Sequence, residues 1–475
     1  MKRSAELLIA VATTVLLFGF AASLPAQTGA VHIPSAQGTL IIPKSSLPQA
    51  LAQGQKLAAH TNVEAFIPAG VTPDELPPFP GLGYETPASL ACVYGLTAPV
   101  AGCNPYKTTT NPSGGSHAIA IVDAYDDPEA SSDLAYFSDQ FGLPFTVSQF
   151  QVVQAVTNNG SCFSLGYVPT DPTGGWELEE SADIEWSHAM APDANVYLVE
   201  GCSNLDGDLQ QAVLVANNLV QCGQTEINPA TGAIGTCPAG SKGKGEVSMS
   251  WGEPEFVGEN ASTCTFNPTI PTEGLADGCF TTPNVVYFAS SGDIPGVEWP
   301  SISPNVVSAG GLTNRRNPTT FNLIHQTDWV DAGGGQSAIE KQPSYQSSHA
   351  SVQAVCGTMS RCDPDLSFDA DPYTGVYVYD TFPFDGAYGL YGYFNWLIGG
   401  GTSVSVQSLA GIVNRAGAFA ASSSAELTTI YNNMSHTGDF IDITSAYCGP
   451  YMGFSAGPGW DFCSGVGADK GYAGK

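Results

Sequence analysis

The chain has 475 residues, with 44 acidic side chains against 14 basic ones and a formal net charge of -30. So few cations cannot form the broad basic face that a nucleic-acid binder needs, and nucleic acid is excluded as a partner. A hydrophobic content of 43% is enough to bury a large core, which argues against disorder, while 54 Gly and 34 Pro with only 12% charged residues exclude a coiled coil or helical bundle. The acids are spread along the chain rather than gathered in a tail. Such a surface sheds most of its charge as carboxylates protonate at about pH 4, which suits work in acid.

The chain opens on a positive Met1-Lys2-Arg3, an apolar run from Leu7 to Phe20 and small residues up to Ala26. This reads as a secretory signal peptide over residues 1–26, too short to span a bilayer comfortably, and predicts a secreted (extracellular or periplasmic) protein with no stable membrane anchor. Residues 27–83 carry one predicted helix around Leu47–Ala59, an extended piece at Val63–Ile67 and a Pro-rich linker, Pro77-Pro78-Phe79-Pro80-Gly81. The segment is small for an independent fold and reads as a short pro-segment or an N-terminal arm packed on the main domain.

From Tyr84 onward, apolar strands alternate with helices. Strands are predicted at Ala118–Val122, Gln151–Val156, Val196–Val199, Glu246–Trp251 and Asn284–Ala289. Helices are predicted at Ser131–Phe141, Glu177–Met190 and Asp208–Val220. This pattern predicts one α/β domain over residues 84–475, with a mainly parallel sheet and helices on both faces. Twelve Cys residues in an exported chain suggest disulfides. Cys92/Cys103, Cys264/Cys279, Cys356/Cys362 and Cys448/Cys463 are spaced to close short loops, although spacing alone leaves the connectivity open.

Four places carry chemistry. Gly399-Gly400-Gly401-Thr402-Ser403 puts a serine at the start of a helical run, where free N–H groups favour developing negative charge. A serine nucleophile needs a base. None of the seven His residues precedes a Gly, so the His-Gly-Thr segment typical of subtilisin-like enzymes is absent. Glu179 and Asp183, four apart on one helix face, are an alternative base pair that can share a proton. Taken alone, that helix also reads as a solvated acidic surface, because Leu178, Ala182, Trp186 and Ala189 form an apolar stripe that leaves most of the acids facing water. Asp293 follows the strand Asn284–Ala289 and, if protonated, can donate to an oxyanion. Asp442-Ile443 and Gly457-Pro458-Gly459-Trp460-Asp461 offer carboxylates and Gly-bent backbone carbonyls suited to Ca2+, without the spacing of an EF-hand.

Together and in this order, these segments resemble the sedolisins, or serine-carboxyl peptidases, a family with a subtilisin-like fold. The likeness starts at Thr86-Pro87-Ala88-Ser89-Leu90 and continues through Asp123-Ala124-Tyr125-Asp126-Asp127-Pro128 to Glu179 and Asp183, which fall at the family's Glu-x-x-x-Asp helix. It then takes in Ser250-Trp251-Gly252, Ser291-Gly292-Asp293, Gly400-Gly401-Thr402-Ser403, and Asp442-Ile443 with Ala456–Asp461. The resemblance implies a peptidase acting on protein or peptide substrates as a monomer. In that scheme Ser403 is the nucleophile, Glu179 the general base, Asp183 its partner and Asp293 the oxyanion donor. Ser250, Trp251 and Gly252 would wall the primary specificity pocket. One structural Ca2+ would be held by Asp442, Asp461 and the carbonyls of Ile443, Gly457 and Gly459. The sequence departs from the pattern at Gln407, where the family often has Pro, and in the shortness of residues 27–83 beside the family's long pro-domain.

Two other readings compete. One is a catalytically inactive, calcium-bound peptide- or carbohydrate-binding protein on a peptidase fold. The other is a metal site built on Glu185 and His188, which rests on a single Glu-x-x-His.

Overall fold

Side chains along the strand Ala118–Ala124 alternate between two sets of neighbours. Ile119 and Ile121 pack with Leu134 and Ile184 on one side, while Ala118, Ala120 and Val122 pack with Leu209, Val213 and Val220 on the other. This period-two alternation places helices on both faces of the sheet, because a strand covered twice buries all its residues. The computed structural model describes residues 29–48, 58–73, 75–223, 227–228, 230–238, 240–265, 275–383 and 395–475. The predicted signal peptide lies outside them, as does most of the helix expected around Leu47–Ala59.

The principal sheet has ten strands. From one edge the order is Phe150–Gln154, Asn195–Gly201, Ala118–Ala124, Gly245–Met249, Val285–Ser290, Val307–Arg316, Leu366–Asp369, Ala468–Asp469 and Phe440–Ile441. The strand Leu323–Asp328 adds antiparallel to Val307–Arg316. Every other neighbouring pair is parallel except the last. Helices Ala130–Phe141, Gly175–Met190 and Thr402–Ala416 cover one face, and Asp206–Cys222 covers the other. The expected α/β class, with a mainly parallel sheet and helices on both faces, is the observed one.

A second, five-stranded sheet draws the N-terminal segment into the domain. Val31–Pro34 pairs with Gly38–Ile42, that strand with Glu64–Pro68, and Glu64–Pro68 with Trp396–Gly400, the strand that leads into the glycines before Ser403. The Pro-rich stretch that follows is also anchored. Phe79 is buried edge-on against Tyr377, with ring centroids 4.9 Å apart, and its N–H donates to the Tyr377 hydroxyl at 2.7 Å.

All twelve cysteines are paired: Cys92–Cys103, Cys162–Cys202, Cys222–Cys237, Cys264–Cys279, Cys356–Cys362 and Cys448–Cys463. The four pairs read from spacing are among them.

The helix Gly175–Met190 departs from its expected solvated face. Glu177, Glu179, Glu180, Asp183 and Glu185 are all fully buried. The apolar stripe occupies only part of the circumference, and the rest is covered by the serine helix, the sheet and the N-terminal segment. Few cations enter this interior. Arg361 pairs with Asp365 at 2.6 Å, Arg316 with Glu85 at 2.6 Å and Lys475 with Asp469 at 2.7 Å. His60 lies 3.2 Å from Glu298. Most of the other buried carboxyls among the described residues have no ion-pair partner, and burial favours the neutral form of such groups. Burial pushes Asp123 up to about 8, Asp127 to about 7, Glu177 to about 9 and Asp363 to about 8.

These groups are neutral in the fold and titrate at about pH 4 in the unfolded chain, so their contribution to stability is complete below about pH 4 and is lost as the pH rises through 7 to 9. Thermal unfolding followed across this range should therefore give its highest midpoint in acid, with a fall towards pH 9. A midpoint that rises from acid to neutral would contradict the neutral state of the buried carboxyls.

Candidate active site

Ser403 is placed by a strand, a glycine turn and a helix. The strand Trp396–Gly400 ends at Gly401, whose φ of 98° is open to glycine and strained for other residues, and the helix Thr402–Ala416 starts at once. A Cβ on Gly401 would lie 2.1 Å from the Asn62 carbonyl oxygen and 2.5 Å from Asp293 Oδ2, so close approach also demands glycine here. Ser403 is buried in the first helical turn, and its Oγ donates to the Ser250 carbonyl at 3.3 Å.

Glu179 and Asp183 project from the neighbouring helix. The two helices close tightly at Gly411, where a Cβ would come within 2.8 Å of Met190 Cβ and the Ser187 carbonyl. Glu179 Oε2 accepts the Asn62 N–H at 3.0 Å. Burial raises Glu179 well above the carboxylate range and the charge of Asp123 adds to the rise, while the Ser403 hydroxyl, Asp183 and the Asn62 N–H oppose it. Asp183 is raised by burial, then by Asp123 and Glu179. Its Oδ1 accepts the Ser250 hydroxyl at 2.9 Å and its Oδ2 the Gln407 amide at 2.5 Å. Three carboxyls thus crowd one dry space, where burial and like charge favour their protonated forms.

Asp293 stands on the other side of the serine. Its Oδ1 accepts the Thr402 N–H at 2.7 Å and the Thr402 hydroxyl at 2.8 Å, and its Oδ2 is buried with no hydrogen-bond partner. Burial pushes this carboxyl well up, Glu64 and Glu179 push it further, and the two Thr402 bonds pull against them. A protonated Oδ2 is a free donor, and it borders the open face of Gly401 together with the Asn62 carbonyl oxygen that accepts the Ser403 N–H at 3.1 Å. The arrangement thus offers a hydroxyl beside a carboxyl cluster, with a backbone N–H and an unpartnered carboxyl oxygen on the same side of the glycine turn.

Of the residues singled out from sequence, Ser403, Glu179, Asp183 and Asp293 come together here. Ser250, Trp251 and Gly252 form the adjoining wall, with the Trp251 indole N–H fixed to the Val122 carbonyl at 2.7 Å. Asp442 and Asp461 lie elsewhere, around the loop Gly457–Asp461. Asp442 accepts the Gly459 N–H at 3.1 Å, and Asp461 accepts the Gly457 N–H at 2.9 Å. Among the described residues no three His, Cys, Asp or Glu side chains form a metal-binding group, so an ion at this loop would rest on these two carboxylates and backbone carbonyls. Such an all-oxygen donor set fits Ca2+. Glu185 and His188 are engaged separately. Glu185 accepts the Tyr379 N–H at 3.1 Å, and the His188 ring packs edge-on to Phe145 at 5.8 Å.

Sequence reasoning missed several contributors. Asp123 completes the carboxyl cluster from a strand end, a position already visible in the Asp123–Asp127 segment. Gln407 was noted only as a departure, yet it clamps Asp183 one helical turn after Ser403. Asn62 carried no signal at all, because its role depends on a strand pairing far along the chain.

No family model matches the chain. It is 25% identical over 379 residues to sedolisin from Pseudomonas sp. (strain 101), covering 76% of this chain and 58% of the relative. It is 27% identical over 388 residues to kumamolisin from Bacillus sp. (strain MN-32), covering 77% and 60%. The match thus spans less than two thirds of either curated relative. The solved structure of Pseudomonas sedolisin, a serine-carboxyl proteinase complexed with two molecules of pseudo-iodotyrostatin, superposes with a TM-score of 0.56 at 22% identity. It covers 81% of this chain and 95% of the solved one, a likeness of fold. By these relatives and this architecture, the chain is similar to the sedolisins and has their subtilisin-like fold.

Proposed function

We propose that this protein is an exported serine-carboxyl endopeptidase that hydrolyses peptide bonds in acid. One observation carries the reading: the unpartnered Asp293 Oδ2 and the carbonyl oxygen bound by the Ser403 N–H both border Gly401, while Glu179 stands against the Ser403 hydroxyl. In this reading Ser403 Oγ attacks the substrate carbonyl and Glu179 takes its proton. Asp183, held by Ser250 and Gln407, orients Glu179 and shares its proton. Protonated Asp293 and the Ser403 N–H stabilise the tetrahedral oxyanion, and Glu179 then protonates the leaving nitrogen. Residues 58–68 enter and leave the cleft as one continuous chain, which supports an endopeptidase rather than an enzyme limited to chain ends. The paired cysteines and the N-terminal pattern of residues 1–26 support export to an oxidising compartment.

The proposal includes a structural Ca2+ held by Asp442, Asp461 and the carbonyls of Ile443, Gly457 and Gly459. The ion would supply charge for the two carboxylates and cross-link the C-terminal loops.

The pH dependence follows from the signs. Glu179 must lose a proton to act as base, and Asp293 must keep one to act as donor. Activity should fall on the acid side as the Glu179 cluster becomes fully protonated, and on the alkaline side as Asp293 ionises.

Three outcomes are expected. Ser403→Ala should lower hydrolysis of a denatured protein substrate in acid by at least about 10³-fold while leaving thermal unfolding unchanged; undiminished cleavage by the variant would end the role of Ser403 as nucleophile, and no cleavage by the wild-type protein at any acidic pH would favour an inactive binding protein. Asp293→Ala should lower kcat by about 10²- to 10³-fold with little change in KM, measured with one peptide at fixed pH. Removal of Ca2+ with a chelator should lower the thermal midpoint, and added Ca2+ but not Mg2+ should restore it; no shift in calorimetry would count against the ion.

A further inference from the structure

The serine helix and the carboxylate helix meet in register. Ser403, Gln407 and Gly411 are spaced by four along Thr402–Ala416 and share one face, and Glu179, Asp183 and Ser187 form the same row on Gly175–Met190. The three rungs match one to one. The Ser403 hydroxyl faces the Glu179 carboxyl, the Gln407 amide bonds to Asp183, and Gly411 closes on the Ser187 carbonyl, which lies 2.8 Å from where a Cβ would sit. Gln407 therefore stands one turn beyond the nucleophile, against the second carboxyl rather than the first, and it is fully buried.

Its carboxamide reaches both oxygens of Asp183. Nε2 donates to Asp183 Oδ2 at 2.5 Å and to Ser250 Oγ at 3.0 Å. Ser250, receiving that bond, turns its own hydroxyl hydrogen to Asp183 Oδ1 at 2.9 Å. An amide N–H can only donate, so the place occupied by Oδ2 suits an ionised oxygen. Hydrogen bonds to the charged form of a carboxyl favour that form. The titratable groups around Asp183 work the other way. Glu179 on its own helix and Asp123 on the strand Ala118–Ala124 are both carboxyls, and burial and these like charges raise Asp183. The other elements packed here contribute neutral groups: Ser250 from between the strands Gly245–Met249 and Trp251–Gly252, and Ser403 and Gln407 from the serine helix. Among the described residues Asp183 has no ion-pair partner. Gln407 and the hydroxyl it orients are thus the groups that favour an ionised Asp183.

Resting on the serine-carboxyl peptidase reading above, we infer that Gln407 is a positioning residue that extends activity to lower pH: its carboxamide, donating to Asp183 directly and through Ser250, keeps the Glu179–Asp183 pair able to lose a proton in strongly acidic solution, so that Glu179 is free to act as base there. Without these donors the pair stays fully protonated over a wider acid range. Gln407 acts through Asp183 and not on the reacting bond.

The test is the pH profile of kcat/KM for one peptide substrate, which reports the groups of the free enzyme. Gln407→Leu removes the carboxamide donors. Its acid limit should move up by about 1–2 pH units, the size expected for the loss of a hydrogen bond to a buried charged group, with kcat at the new optimum little changed. Gln407→Glu regains one donor while protonated, and its acid limit should fall between the two. If thermal unfolding shows that the leucine variant is not folded, Gln407→Met, flexible and equally without a donor, takes its place with the same expected shift. A loss of activity by one factor at every pH, with the acid limit unmoved, is the mark of a packing role and overturns the inference, as does a profile identical to that of the wild type. Both leave the peptidase reading standing, provided that Ser403→Ala is inactive beside an active wild type. A wild-type protein that cleaves no peptide at any acidic pH is the failure of that reading itself.

Discussion

A carboxyl group taken out of water is stable when it is neutral or well hydrogen-bonded, and this fold takes many of them out of water. The helix Gly175–Met190 alone buries five, and the sheet beneath it adds Asp123, Glu200 and Glu246. With only 14 cations against 44 acids, ion pairing cannot neutralise this interior. Its cations are concentrated at a few points such as Arg361–Asp365, where the Tyr431 hydroxyl adds a further bond at 2.8 Å. Elsewhere the proton itself is the partner. The large negative formal charge counts many groups that the folded protein keeps neutral.

The same constraint shapes the site. Around Ser403, burial and crowding of like charges raise Glu179, Asp183 and Asp293, and local hydrogen bonds then set them apart. Glu179 faces the serine hydroxyl and a backbone N–H, both of which favour its ionised form. Asp293 gives one oxygen to Thr402 and keeps the other free to carry a proton. Two acids with different surroundings can thus serve as base and donor without a histidine.

Close backbone approach makes this geometry possible. Gly401 lets the Asn62 carbonyl and the Asp293 carboxyl meet at the start of the serine helix, and Gly411 lets that helix lie against the carboxylate helix. Residues 29–48 and 58–68 are woven into this arrangement, with Glu64–Pro68 pairing directly to the strand that leads into the glycine turn before Ser403. The N-terminal segment is therefore structurally continuous with the site.

The sequence by itself determined the alternation of strands and helices from Tyr84 onward, since period-two and period-3.6 apolar patterns report local burial. It also determined the local groups whose members lie a few residues apart: Glu179 with Asp183 on one helical face, the glycine turn before Ser403, Asp293 at a strand end, and the short-range cysteine pairs. The tertiary structure decided what depends on contacts between distant residues. It turned the acids of Gly175–Met190 inward, because a helix pattern shows which face is apolar but not whether the other face is covered. It brought Asp123 and Gln407 to the carboxyl pair from separate elements, and joined Cys162 to Cys202 across 40 residues. It laid Asn62 between Glu179 and Ser403, a position that follows from sheet pairing over more than a hundred residues and leaves no trace in local composition.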